Sequence, residues 1–193
     1  MKRTIFDADH DSFRDTVRAF CEKEIAPHHD QWEKDGIVPR EVWTKAGAQG
    51  LLGFMMPEEF GGGGISDFRY NAILTEEITR VGASGIGFVI QTDLVSGYLL
   101  SYASDEQRAR WFPDFCSGEM ITAIAMTEPG TGSDLQGIKT TAKKDGDEYV
   151  INGSKTFITN GINADIVIVL AKTDPTQRHT GMSLIVVERD TPG

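Results

Sequence analysis

Two short segments hold the residue types that could do chemistry. The first, Ala125-Met126-Thr127-Glu128-Pro129-Gly130-Thr131-Gly132-Ser133-Asp134, reads as a strand entering a turn that ends in two short polar side chains. Such a loop can present consecutive backbone N–H groups to a phosphate or pyrophosphate, its glycines permitting positive φ and close approach. The same composition also makes an ordinary solvent turn, and spacing alone does not decide between the two. Gly130 and Gly132 begin a G-x-G, but Leu135 stands where a dinucleotide fingerprint needs its third glycine. Gly82-Ala83-Ser84-Gly85-Ile86-Gly87 fails the same pattern and falls between helices. In the second segment, Thr156 to Thr159, the threonines suit a pleated surface and by themselves imply only a strand.

Other candidates are weaker. Glu24, His28 and His29 have ligand-like spacing, but Pro27 interrupts the helix that would align them. Glu128 and Asp134 could be paired carboxylates, yet their loop position favours turn and cap roles. Gly61 to Gly64 reads as a flexible connection. Cys21 and Cys116 have no metal spacing, each follows a phenylalanine, and both read as buried thiols. The net charge of −10 argues against broad nucleic-acid binding, which needs a cationic surface. No run approaches the ~20 apolar residues of a membrane span. Lys2 and Arg3 are followed by polar residues where a signal peptide needs an apolar stretch. The expected location is cytoplasmic, of bacterial type.

The elements that must position these segments change character near Gly118. Phe13, Val17, Phe20 and Cys21 recur at helical spacing up to Pro27, and Val42, Trp43 and Ala46 mark a second helix after Pro39. Ser66-Asp67 reads as the cap of a helix reaching Arg80. Gly85 to Tyr102 is apolar on most sides and reads as an interior helix. Ser104 and Gln107 match a capping box, in a helix that Pro113 should shorten or kink. Beyond Gly118 the signals are those of strands: Met120–Met126, Ile138–Lys144, Glu148–Asn152, Ile166–Leu170 and Ser183–Val187, with Asp145-Gly146-Asp147 as a hairpin turn. The predicted architecture is α+β: an all-helical N-terminal bundle over 1–118, then a partial, antiparallel, β-barrel-like domain over 119–193. That domain reads as roughly two or three strands short of a covered edge.

Met126 to Asp134 resembles the first signature of the acyl-CoA dehydrogenase family, and Asn152-Gly153-Ser154-Lys155-Thr156-Phe157-Ile158-Thr159-Asn160-Gly161 resembles its second flavin-contacting segment. The resemblance extends through Ser104-Asp105-Glu106-Gln107 and Gly118-Glu119, and Asp134 to Thr140 looks most like the long-chain type. It implies FAD as cofactor. Ile124, Met126 and Thr127 would meet the flavin, and Gly132 and Ser133 its pyrophosphate, with Ser133 also near the acyl-CoA. Phe157, Ile158 and Thr159 would wall the ring, the Thr159 hydroxyl standing near N5. Phe157 replaces a tryptophan common in relatives, keeping an aromatic face and losing an N–H donor. Ala103 replaces a common glycine.

The implied reaction is α,β-dehydrogenation of an acyl-CoA thioester in fatty-acid β-oxidation. Electrons would pass to an electron-transfer flavoprotein, from a homotetramer or other homo-oligomer. In the family the base is a glutamate of a C-terminal helical domain, which this chain is expected to lack. No catalytic or metal residue is therefore assigned, and the chain alone is expected to be inactive. A flavin oxidase or monooxygenase of the same fold, and a non-catalytic binding fragment, are the alternatives.

Overall fold

The computed structural model describes residues 3–193; Lys2 lies outside them. The chain forms two compact units, one ending at Ile121 and the other running from Thr122 to Gly193.

Among the described residues, the elements of the first unit are helices and helical turns. Helix α1 (Ala8–Phe20) starts at Asp7, whose carboxylate accepts from the Asp9 and His10 amides. It passes into a π-helical turn, Cys21–Ile25, that ends just before Pro27. A short helix, α2 (His29–Asp35), follows and stops at left-handed Gly36. The order continues with α3 (Arg40–Ala48), α4 (Arg69–Arg80), a second π-helical turn (Ile90–Val95), α5 (Ser96–Tyr102) and α6 (Asp105–Ser117). Val17, Phe20, Trp43, Ile73, Leu74 and Phe88 centre one core, with Trp43 edge-on to Phe88 at 4.7 Å between centroids. The Ser104–Gln107 capping box closes in both directions.

Two helical expectations need correction, and one helix is an addition. Pro113 does not shorten α6: the helix runs through it to Ser117. Pro113 and Ala109, whose carbonyl loses its partner, both lie on the exposed side, where water can satisfy that oxygen. The segment predicted as an interior helix is also less uniform. It contains the second π turn, and Leu94 and Tyr102 face solvent, since a wider turn shifts which side chains fall inward. Helix α2, too short to show a periodicity, was not predicted.

Burial without charged partners pushes the Cys116 thiol up to about 11, and burial followed by the nearby Glu77 charge pushes Cys21 up to about 12. Both thiols should stay unreactive towards a disulfide reagent at mildly alkaline pH until the unit unfolds. Labelling of the native protein at the rate of a free thiol would refute this.

The second unit is built on a five-stranded sheet. Its strands are β1 (Thr122–Ala125), β2 (Thr141–Asp145), β3 (Glu148–Asn152), β4 (Ile166–Lys172) and β5 (Met182–Glu188). Strand β4 alternates buried and half-buried residues, placing Ile166, Ile168 and Leu170 on a buried face. It pairs with β1 in parallel, Thr122 opposite Ile166 through Ala125 opposite Val169, and with β5 antiparallel from Ile166–Glu188 to Lys172–Met182. The hairpin β2–β3 turns at Gly146, where φ is +61°, and reaches β4 only at Thr141–Lys172.

The antiparallel barrel is therefore corrected to a mixed sheet that does not close. Strand propensity is blind to direction, and the long excursion between β1 and β4 gives the chain room to return parallel.

Candidate functional site

Between β1 and β4 the chain makes that excursion through both chemistry-bearing segments. Leaving β1, Met126 and Thr127 are half-buried and their carbonyls are both occupied: Lys155 Nζ donates to Met126 O at 2.8 Å, and Thr156 N donates to Thr127 O at 3.0 Å. The two motif segments thus lie side by side, joined by direct hydrogen bonds.

Glu128 ties the knot. Its carboxylate is buried and accepts from the Lys139 amide at 2.6 Å, the Thr140 amide at 2.9 Å and Lys155 Nζ at 3.0 Å. Burial alone would raise its pKa; the donors from Thr140, Lys139 and Lys155 outweigh that and hold it at about 2. Three stretches far apart in sequence are gathered on one ionised group. The intervening loop is tight at its start, because Glu128 and Thr131 exchange backbone bonds of 2.9 and 3.1 Å across Pro129 and Gly130. Further on, Gly153 packs so closely on Thr140 that an added Cβ would stand 2.2 Å from its hydroxyl.

The predicted cofactor residues fall into three groups around this knot. Ile124 sits on β1 opposite Ile168 of β4, and Met126 and Thr127 follow where that strand ends at Ala125. Phe157, Ile158 and Thr159 continue from Lys155 and Thr156, so these two groups are brought together. Gly132 and Ser133 are exposed beyond Thr131, and among the described residues no hydrogen bond links them to 157–159.

Phe157 and Asn160 are the non-glycine residues with positive φ among those described, at +56° and +65°. A left-handed backbone costs an ordinary residue roughly 1–2 kcal/mol, and such strain collects at functional sites. Asn160 offsets its share by donating from its side chain to Thr122 O at 3.0 Å. Phe157 is 92% exposed, an aromatic ring held out by a strained backbone.

One expectation about the loop is overturned. Neither Gly130 nor Gly132 has positive φ, so no left-handed nest forms at them. What they provide is space: a Cβ on either would meet nothing within 4 Å. The hydroxyls of Thr127, Ser133 and Thr159 have no protein partner among the described residues, leaving donors and acceptors free beside an open loop and an exposed ring. This set fits a nucleotide carrying an aromatic ring system.

From the sequence, Glu128 has turn and cap roles and Lys155 has no role of its own. No spacing rule links a Glu and a Lys across an intervening hairpin, although both lie inside the quoted motifs. Glu24 is held by Lys45 at 2.6 Å, His28 stacks on Trp32, and His29 accepts from the Gly85 amide at 3.2 Å, so each has structural work.

Comparison with known proteins bears on the same two units. The family description "Acyl-CoA dehydrogenase, N-terminal domain" matches residues 7–119, and "Acyl-CoA dehydrogenase, middle domain" matches residues 123–193. The long-chain specific acyl-CoA dehydrogenase, mitochondrial, of Sus scrofa is 49% identical over 193 residues, covering 99% of this chain and 45% of that protein. The crystal structure of an acyl-CoA dehydrogenase from Geobacillus kaustophilus superposes with a TM-score of 0.94 at 49% identity, covering 100% of this chain and 51% of the other. A glutaryl-CoA dehydrogenase from Mycobacterium smegmatis in complex with FADH2 gives 0.85 at 31% identity, covering 97% of this chain and 47% of that one. The chain spans about half the length of the relatives it matches.

Proposed function

This chain belongs to the acyl-CoA dehydrogenase family, and on that footing we propose that it supplies one side of an FAD site for the α,β-dehydrogenation of acyl-CoA thioesters. The observation that carries the reading is the Thr156–Thr127 hydrogen bond, which makes one surface of the two motif segments. When bound, FAD would accept the hydride that leaves the β-carbon of the thioester. The chain's own residues do the holding. Thr127 and Thr159 offer hydroxyls to the ring edges, where donors favour the charge that arrives with a hydride. Phe157 offers an aromatic face that excludes water, and the open loop at Gly130–Ser133 leaves room for the pyrophosphate. No residue described here is assigned the removal of the α-proton. Acyl-CoA as substrate and an electron-transfer flavoprotein as acceptor belong to the same proposal.

Gly132→Val tests it cleanly. The added side chain projects into open space, so folding stability should change by less than about 0.5 kcal/mol. The same side chain would occupy the room meant for the pyrophosphate. FAD affinity, followed by flavin fluorescence, should fall more than about ten-fold, while riboflavin, which has no phosphate, should bind as before. Equal FAD affinity in the variant, or no saturable uptake by the unsubstituted protein, would sink the reading.

A further inference from the structure

The Lys155–Glu128 pair invites the question of why a charge is buried there at all. The two side chains are 11% and 6% exposed. A buried ion pair contributes little net stability compared with apolar packing, though removing one partner leaves a costly lone charge. A pair can, however, impose a geometry that apolar side chains leave loose, because each charge demands specific donors or acceptors. Here the ammonium has two acceptors, Met126 O and Glu128, and the carboxylate has three donors from two other chain segments.

Peptide planarity gives this a directional consequence. In a trans peptide the C=O and the following N–H point in opposite directions. Lys155 draws the Met126 carbonyl towards itself, so the Thr127 N–H must face the other way, and it has no protein acceptor among the described residues. Thr127 also carries one of the free hydroxyls.

We propose that Glu128 and Lys155 are positioning residues for flavin binding: through Met126 O they aim the Thr127 amide and hydroxyl at the edge of the ring. This rests on the flavin reading above. Neither residue touches the ligand in this account; both act through the backbone of 126–128. The ion pair is present across neutral pH, because the donors around Glu128 keep its carboxyl ionised.

The test compares the unsubstituted protein with Lys155→Met in flavin titrations and amide hydrogen exchange. Lys155→Met should weaken FAD and riboflavin alike by about ten-fold or more, since the ring edge is common to both. It should also shift the absorption of the bound flavin and speed exchange at the Lys139, Thr140 and Thr156 amides. Lys155→Arg, which keeps a charge and several donors, should recover part of the affinity. Should Lys155→Met fail to fold, Glu128→Gln is the milder probe, with a loss of a few-fold expected. A folded variant that binds both flavins as tightly as the unsubstituted protein, with the same spectrum, overturns the inference alone. No flavin uptake by the unsubstituted protein would overturn the flavin reading and this inference with it.

Discussion

Replacing Gly118 with alanine should destabilise the helical unit by about 3 kcal/mol. Two separate costs fall on that position. Its φ of +80° ends α6 in the left-handed region, which an ordinary residue enters at roughly 1–2 kcal/mol. The new methyl would also stand 2.2 Å from the Trp43 carbonyl oxygen and 3.0 Å from the Thr44 amide. These are helix backbone atoms of α3, which cannot rotate aside as a side chain can. The contact is mutual, since a Cβ on Gly47 of α3 would lie 2.0 Å from the Ser117 carbonyl. Gly97→Ala is the control: its Cβ meets nothing within 4 Å, and φ there is not positive, so stability should hold or rise by about 0.5–1 kcal/mol. Urea unfolding followed by helical circular dichroism reads both variants. A Gly118→Ala midpoint indistinguishable from the parent would refute the account.

Gly118 also shows what kind of information was legible beforehand. The sequence marked it as the place where periodicity changes, because helix and strand spacings differ over a few residues and need no tertiary knowledge. Local chemistry read equally well: the Ser104–Gln107 capping box and the turn at Gly146 are contacts between near neighbours. Strand positions came through, since β4 alternates and is rich in Val and Ile. Strand direction did not, because the parallel pairing of β1 with β4 depends on where the intervening excursion delivers the chain. Pro113 misled for a related reason. Its cost depends on whether the carbonyl of Ala109 faces water, a property of packing that composition does not express.

The site divides along the same line. Motif resemblance pointed to 126–134 and 152–161, and the structure brings the first few residues of one against the middle of the other. The physical reason proposed for the glycines was wrong in part: their dihedrals are ordinary, and open space is what they contribute. The organising group was least visible of all. Glu128 collects donors from residues 11, 12 and 27 positions away, and such a set emerges only when three segments have already folded together. Buried charge of this kind is costly unless every partner arrives, so it marks a place where the backbone has little freedom to be otherwise.

Glu77→Gln should lower the stability of the helical unit at neutral pH by about 2 kcal/mol and remove much of its acid sensitivity. Glu77 is buried on α4 and accepts from Arg14 Nη1 at 3.1 Å, Arg18 Nε and Nη2 at 3.0 Å, and Arg80 Nε at 2.7 Å. Burial alone would raise its pKa, but the guanidinium bonds from Arg18, Arg80 and Arg14 prevail and bring it from 4.5 to about 2. The folded value is depressed, so the stabilisation is complete above the unfolded value of 4.5 and drains away as pH falls through about 2. The figure of about 2 kcal/mol allows for water reaching Arg18 and Arg80, which are 40% and 41% exposed. Glutamine keeps the shape and one acceptor but removes the buried charge that the three guanidinium groups share, leaving Arg14 to Glu76, Arg18 to Asp15 and Arg80 to Glu22. Acid unfolding of the parent should therefore steepen between pH 4.5 and about 2, while the Glu77→Gln curve starts lower and runs flatter. The corresponding change at Glu128 acts on the other unit and should leave the helical signal's pH dependence in place. Parallel acid curves for parent and Glu77→Gln would mean that the arginines hold α1 to α4 by packing, with the charge contributing nothing.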